Sequence, residues 1–179
     1  SASRWGTNFN GEYFTIGVGG ALAGRGADLF IIDDPHSEQD AMQGRADVFA
    51  PAWEWFQSGP IQRLMPGGAI IVVMTRWSKL DLTGQIIDHM TRNDNTDEWE
   101  VVEFPAIIND KPLWPEFWTI EDMLSKKASM DVRYWQAQYM QEPTSEEGAL
   151  LKREWWNVWE EDEPPKCELA VGTFNFAKP

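Results

Sequence analysis

Leu29-Phe30-Ile31-Ile32-Asp33-Asp34 is the stretch on which the reading of this chain turns. Four consecutive apolar side chains followed by two carboxylates and Pro35 spell a short buried strand that stops at an acidic turn. A second run, Ala69-Ile70-Ile71-Val72-Val73-Met74, is apolar without alternation and ends in Thr75-Arg76-Trp77. That pattern predicts a parallel strand covered on both faces. If the connection between the two runs is a right-handed crossover, both strand ends fall on the same edge of one sheet.

Working outward, residues 12–18 alternate well enough for another strand, and Gly19-Gly20 follows as a turn. Ser37 with Asp40 three residues later resembles a capping box, so a helix is expected from there toward Phe49. Pro51 kinks or restarts it before a helical stretch over 53–64, which Pro66-Gly67-Gly68 ends. Beyond the second apolar run the spacing predicts a helix over 81–90, a polar turn over 93–97 and a strand over 99–104. Thr119 with Asp122 predicts a capped helix, and Asp131 starts a second that runs to about Gln141 before Pro143. The alternation of strands and helices gives an α/β domain with a parallel sheet. Residues 144–148 look like the start of a linker, 160–165 an acidic turn, and 168–174 a new strand.

Composition narrows the function classes. The chain has 179 residues, 42% of them apolar, enough for a real core. Its longest apolar run is far too short to span a bilayer, so no membrane role is expected. The single Cys167 excludes an internal disulfide. A net charge of −14 argues against a broad basic nucleic-acid surface within these residues. The eleven tryptophans are scattered, which fits packing better than a site.

Adjacent carboxylates at the end of a buried parallel strand sit where open α/β sheets bind ligands. In phosphate-loop ATPases the first such acid, here Asp33, belongs to the magnesium shell, and the second, Asp34, can polarise the attacking water. The plainer alternative is an apolar strand closed by an Asp-Asp-Pro turn. Thr75 at the neighbouring strand end either senses a terminal phosphate or caps the next turn. Gly17-Val18-Gly19-Gly20 and Gly24-Arg25-Gly26 do not form a phosphate loop, because no lysine precedes Lys79. They read as tight turns, with Arg25 either an arginine finger toward a neighbour's ATP or an ordinary solvated side chain. His36 and His89 lack metal-ligand spacing and read as structural or surface residues.

The order from Gly17-Val18-Gly19-Gly20 through Gly24-Arg25-Gly26-Ala27-Asp28 to Ile32-Asp33-Asp34-Pro35 strongly resembles the large subunits of tailed-bacteriophage terminases. Pro66-Gly67-Gly68-Ala69, Met74-Thr75-Arg76-Trp77 and Asp81-Leu82-Thr83-Gly84 are similar to that family's coupling region. Phe104-Pro105-Ala106, Leu113-Trp114-Pro115-Glu116, Tyr139-Met140-Gln141-Glu142-Pro143 and Gly148 through Trp156 keep the family order. The resemblance covers nearly the whole chain.

The resemblance implies that the chain is an internal piece of the DNA packaging motor. Residues 1–143 would be the C-terminal part of a phosphate-loop-type ATPase domain, with its Walker B acids and coupling motif but no Walker A loop. Residues 144–166 would be a linker, and 167–179 the first strand of a ribonuclease-H-like nuclease. Asp33 matches the magnesium-associated acid, Asp34 stands where a catalytic glutamate is usual, and Thr75 lies in the coupling motif. Asn175 stands where the first nuclease metal ligand is expected to be an aspartate, and the remaining nuclease acids would lie past Pro179. The implied cofactors are ATP with Mg²⁺, and Mg²⁺ or Mn²⁺ for the nuclease. The implied partners are double-stranded DNA, the portal protein, the small terminase subunit and further copies in a homo-oligomeric ring. The implied location is the cytoplasm of an infected bacterial host, at the procapsid portal. A helicase-like motor and a non-enzymatic assembly domain are the alternatives.

Overall fold

The computed structural model of the chain describes residues 4–42, 46–93, 98–144, 168–169 and 172–173. It divides into two compact units, Ser1–Glu146 and Glu147–Pro179. The first is a mixed α/β unit with small two-stranded sheets.

An antiparallel ribbon opens it, β1 (Arg4–Gly6) against β2 (Glu12–Phe14), with Trp5 stacked on Tyr13 across the pair. The strand expected over 12–18 is therefore shorter and has an unforeseen partner. Two turns follow, closed by Gly20 N–H to Gly17 O and by Arg25 N–H to Leu22 O. Gly19 and Gly24 occupy their third positions at positive φ, the conformation a type II turn reserves for glycine. Both glycine clusters are tight turns.

The central feature is β3 (Ala27–Asp33) paired parallel with β4 (Leu64–Val73). The register runs Leu29 to Ala69, Phe30 to Ile70, Ile31 to Ile71, Ile32 to Val72 and Asp33 to Val73. An irregularity between Ala27 and Leu29 absorbs Pro66-Gly67-Gly68, with Gly67 at φ +81. That tripeptide was expected to end a helix; it lies inside the strand as a bulge, a common place for proline and positive-φ glycine in sheets.

Between the two strands the chain forms α1 (Glu38–Ala41), a 3₁₀ turn (Ala46–Val48), α2 (Ala50–Ser58) and α3 (Pro60–Arg63). Ser37 Oγ accepts the Asp40 N–H as the capping pattern predicted, yet the helix stops after one turn instead of reaching Phe49. Pro51 restarts it in the first turn of α2, where no intrahelical donor is needed. The stretch over 53–64 is broken at Gly59-Pro60, because proline removes a donor and fixes its own φ.

One face of the β3–β4 pair carries Ile32, Ile70 and Val72 onto the core. That core is built around Ile32, Phe56, Leu82 and Ile86, flanked by Trp53, Trp55, Met74 and Trp99. The opposite face bears Leu29, Ile31, Ile71 and Val73, each about half exposed. The expectation of cover on both faces therefore fails within the described residues.

After β4 comes α4 (Leu82–Arg92), then the segment over 99–104 expected to be a strand. It joins no ladder. Trp99 N–H is spent on Met90 Sδ, Phe104 N–H on Gln141 Oε1, and the Trp99 ring packs against Phe56. A groove of about 500 Å³ separates this segment from β4. The hairpin β5 (Ile107–Ile108) and β6 (Lys111–Pro112) turns through Asn109 and Asp110, both at positive φ, as a tight two-residue hairpin turn demands.

Helix α5 (Ile120–Ala128) has a complete capping box between Thr119 and Asp122. The helix expected over 131–141 is α6 (Val132–Tyr134), which widens into a π-helical turn over Trp135–Tyr139. Trp135 is buried and stacks on Tyr139 at 4.8 Å. Gln141 at φ +61 ends it, leaving its side chain to hold Phe104.

In the second unit, β7 (Glu168–Leu169) and β8 (Gly172–Thr173) pair antiparallel, so the described residues of the single strand expected over 168–174 belong to two short strands. Asn175, the acidic turn over 160–165 and most of the linker lie outside the described residues. No helix among the described residues is long and apolar enough to cross a membrane.

Candidate functional site at the ends of the parallel pair

Parallel pairing places Asp33 beside Val73, and Asp34 N–H donates to Val73 O at 2.9 Å, extending the ladder by one residue. The backbone then turns at Asp34 with φ +41, in the left-handed region. Aspartate tolerates that region better than most residues, and proline at the next position restricts the choice further. Such positions typically cost about 1–3 kcal/mol and persist where surrounding contacts enforce them. One such contact is direct: Asp34 Oδ1 accepts the Thr75 N–H at 3.2 Å.

Asp33, Asp34 and Thr75 are thus brought to one sheet edge. Asp33 and Asp34 are exposed, and Thr75 is half-buried. Thr75 takes part through its backbone; its hydroxyl makes no hydrogen bond among the described residues. One oxygen of Asp34 is oriented by Thr75, while Oδ2 has no protein donor there.

The turn after Thr75 is organised by Asp81, which the sequence marked only as a helix start. Its side chain is fully buried and accepts from Arg76 Nε at 3.0 and 3.2 Å, Trp77 N–H at 2.9 Å, Ser78 N–H at 3.2 Å and Gly84 N–H at 2.8 Å. The last is the N-cap bond of α4. Arg76 is itself only 12% exposed and also donates to Ser78 O. A buried carboxylate needs this many donors, because desolvation would otherwise neutralise it. The signal was present as an arginine five residues before a helix-capping aspartate, but spacing alone does not reveal a buried pair.

His36 follows directly on the Asp33-Asp34-Pro35 turn. Its Nε2 accepts the Leu82 N–H at 2.9 Å, and its ring meets Phe49 edge-on at 5.1 Å. Burial lowers its pKa, while the Asp81 charge opposes that shift. The histidine is structural, as its lack of metal-ligand spacing predicted, yet it lies at the candidate site. His89 is exposed near Trp53 on the far part of α4.

Arg25 is held by its own chain. Its guanidinium lies 3.9 Å from the Phe14 ring centroid and 3.7 Å from Glu12 Oε1, a carboxylate that Arg4 also holds below its ordinary pKa. Reaching a neighbour would require giving up both contacts.

Among the described residues no group of three or more acid, histidine or cysteine side chains is placed to hold a metal ion. Magnesium with a nucleotide does not require one, since it keeps waters and takes one or two carboxylates plus phosphate oxygens. The exposed, unshared carboxylate of Asp33 fits that demand. Chemically, the edge offers one free carboxylate for a hydrated cation, one half-oriented carboxylate able to accept a proton, and one free hydroxyl. No family description, curated protein or solved structure matches the chain.

Proposed function

We propose that this chain is an internal part of a viral terminase large subunit, the ATP-driven motor that packages double-stranded DNA into procapsids and cuts the concatemer. The observation that carries the reading is the parallel pairing of β3 with β4. It brings Asp33, Asp34 and Thr75, residues 41 apart in sequence at their hydrogen bond, to one sheet edge. Asp33 would hold the hydrated Mg²⁺ of Mg-ATP, and Asp34 would accept the proton of the attacking water through its free oxygen. Thr75, bonded to Asp34 through its backbone, would connect that site to α4 by way of the Arg76–Asp81 pair.

Two further features bear on the reading, one in its favour and one that it must account for. The outer face of the β3–β4 pair is apolar and half exposed, and β4 pairs with no second strand among the described residues. Parallel sheets are almost always covered on both faces, and in this reading the pair would be part of a wider phosphate-loop-type sheet. The chain also lacks a phosphate-binding lysine before its acidic strand, and its charge is −14. The phosphate grip and the DNA-facing basic surface would then come from elsewhere in the protein, with 144–166 as linker and Asn175 in a ribonuclease-H-like nuclease. Arg25, tied to Glu12 and Phe14, would act as an arginine finger only after rearrangement. The portal protein, the small terminase subunit and further copies in a ring would be its partners, in the host cytoplasm.

The test is made on the complete gene product. Asp34→Asn should slow ATP hydrolysis by about a hundredfold, the scale of losing a positioned base, with nucleotide binding retained. Unchanged turnover would return Asp34 to a turn-forming role and remove the main support.

A further inference from the structure

We infer that His36 is a positioning residue: its neutral imidazole pins the turn that carries Asp34 to the N-terminus of α4, and protonation releases it. The geometry on this chain stands alone; only its consequence for hydrolysis rests on the motor reading.

The first N–H groups of a helix have no intrahelical acceptor and must find one elsewhere. In α4 the Asp81 carboxylate takes the Gly84 N–H, and His36 Nε2 takes that of Leu82. Leu82 is fully buried, so water cannot readily replace the imidazole. A ring nitrogen accepts only when it carries no proton, which puts the neutral ring's proton on Nδ1. Protonation turns that acceptor into a donor facing another donor, at the positive end of a helix dipole.

The charged groups around the ring are few. From α4 the Asp81 carboxylate favours the charged imidazole, but it is already shared among Arg76, Trp77, Ser78 and Gly84. From α1, Asp40 borders the same cleft of about 270 Å³, as do apolar Val48, Phe49 and Ala52. Asp33 and Asp34 lie on the ring's own turn. Burial outweighs the Asp81 charge and lowers the His36 pKa, which favours the neutral ring.

The consequence is a double tie. Asp34 Oδ1 holds Thr75 N–H, and His36 Nε2 holds Leu82 N–H, so the turn after β3 is fastened at two points to the segment after β4. Releasing His36 leaves the Asp34 N–H bond to Val73 O and the exposed Thr75 bond at 3.2 Å to hold Asp34.

The experiment is an NMR pH titration of this chain, following the His36 ring nitrogens and the hydrogen-exchange protection of the Leu82 amide. His36 should carry its proton on Nδ1 at neutral pH and titrate below the ordinary histidine value of about 6.5. Leu82 protection should fall about five- to tenfold as it does, the scale of one net hydrogen bond. His36→Gln, which offers an uncharged acceptor in place of Nε2, should abolish the step and keep the protection. Leu82 protection that ignores His36 protonation, or a step that survives in His36→Gln, would overturn the inference. A latch that titrates as described, where the complete gene product shows no ATPase activity, would uphold it and count against the motor reading alone.

Discussion

The turn after β3 and the turn after β4 adjoin, and each contains an aspartate that fixes local backbone, but by opposite means. Asp81 is sealed from water, and five hydrogen bonds from four residues converge on its two oxygens. Asp34 is exposed, adopts φ +41 and receives one backbone hydrogen bond at 3.2 Å. A saturated carboxylate has no lone pairs left for a ligand and serves stability. An exposed, half-committed one contributes little to stability and keeps an oxygen for chemistry. The turn after β4 is the anvil against which the turn after β3 is held.

Breaking the buried partner should have the largest effect. Asp81→Ala strands the Arg76 guanidinium in a dry site and uncaps α4, a change that typically costs about 3–5 kcal/mol. Urea unfolding of the variant measures it, and a loss below about 1 kcal/mol would mean that the pair is not sealed. Gly84→Ala comes next. A Cβ there collides with the Lys79 carbonyl and crowds Arg76, and overpacking of this kind costs about 1–3 kcal/mol. A variant as stable as the parent would show that the turn yields freely.

The exposed side of the comparison should respond weakly. Asp34→Ala loses one exposed hydrogen bond and places a residue less tolerant of positive φ, for about 1 kcal/mol. Asp34→Asn, which retains the acceptor and tolerates that backbone, should stay within about 0.5 kcal/mol of the parent. A large loss for Asn in thermal melts would transfer Asp34 to the structural side. The smallest effect concerns acid. Because the folded pKa of His36 lies below its unfolded value, the unfolded chain binds the proton first as pH falls. Its contribution is fully present above about pH 6.5 and lost as pH falls through the folded value. Comparing parent and His36→Gln across that window should isolate the slope; identical curves would deny it.

The elements legible beforehand were those with short-range causes. The apolar runs at 29–32 and 69–73 are strands because continuous branched aliphatic residues favour buried extended chain. Ser37, Asp81 and Thr119 begin helices because their side chains satisfy nearby N–H groups. Residues 99–104 have the same composition as a strand, yet Trp99 and Phe104 commit their N–H groups to Met90 and Gln141, and no ladder forms. A strand's identity depends on a partner edge, which local sequence does not contain.

For the candidate site, sequence alone picked out the candidate residues: two carboxylates ending one apolar strand and a threonine ending another. The type of side chain and the strand that delivers it are local properties. Tertiary structure decided that those ends meet in parallel register, that Asp34 takes a left-handed backbone to reach Thr75 N–H, and that Asp81 rather than Asp34 is buried. It also gave His36 its partner, 46 residues away at Leu82. Burial and hydrogen-bond partnership are set by what the rest of the chain brings alongside, and that is fixed only when the core closes.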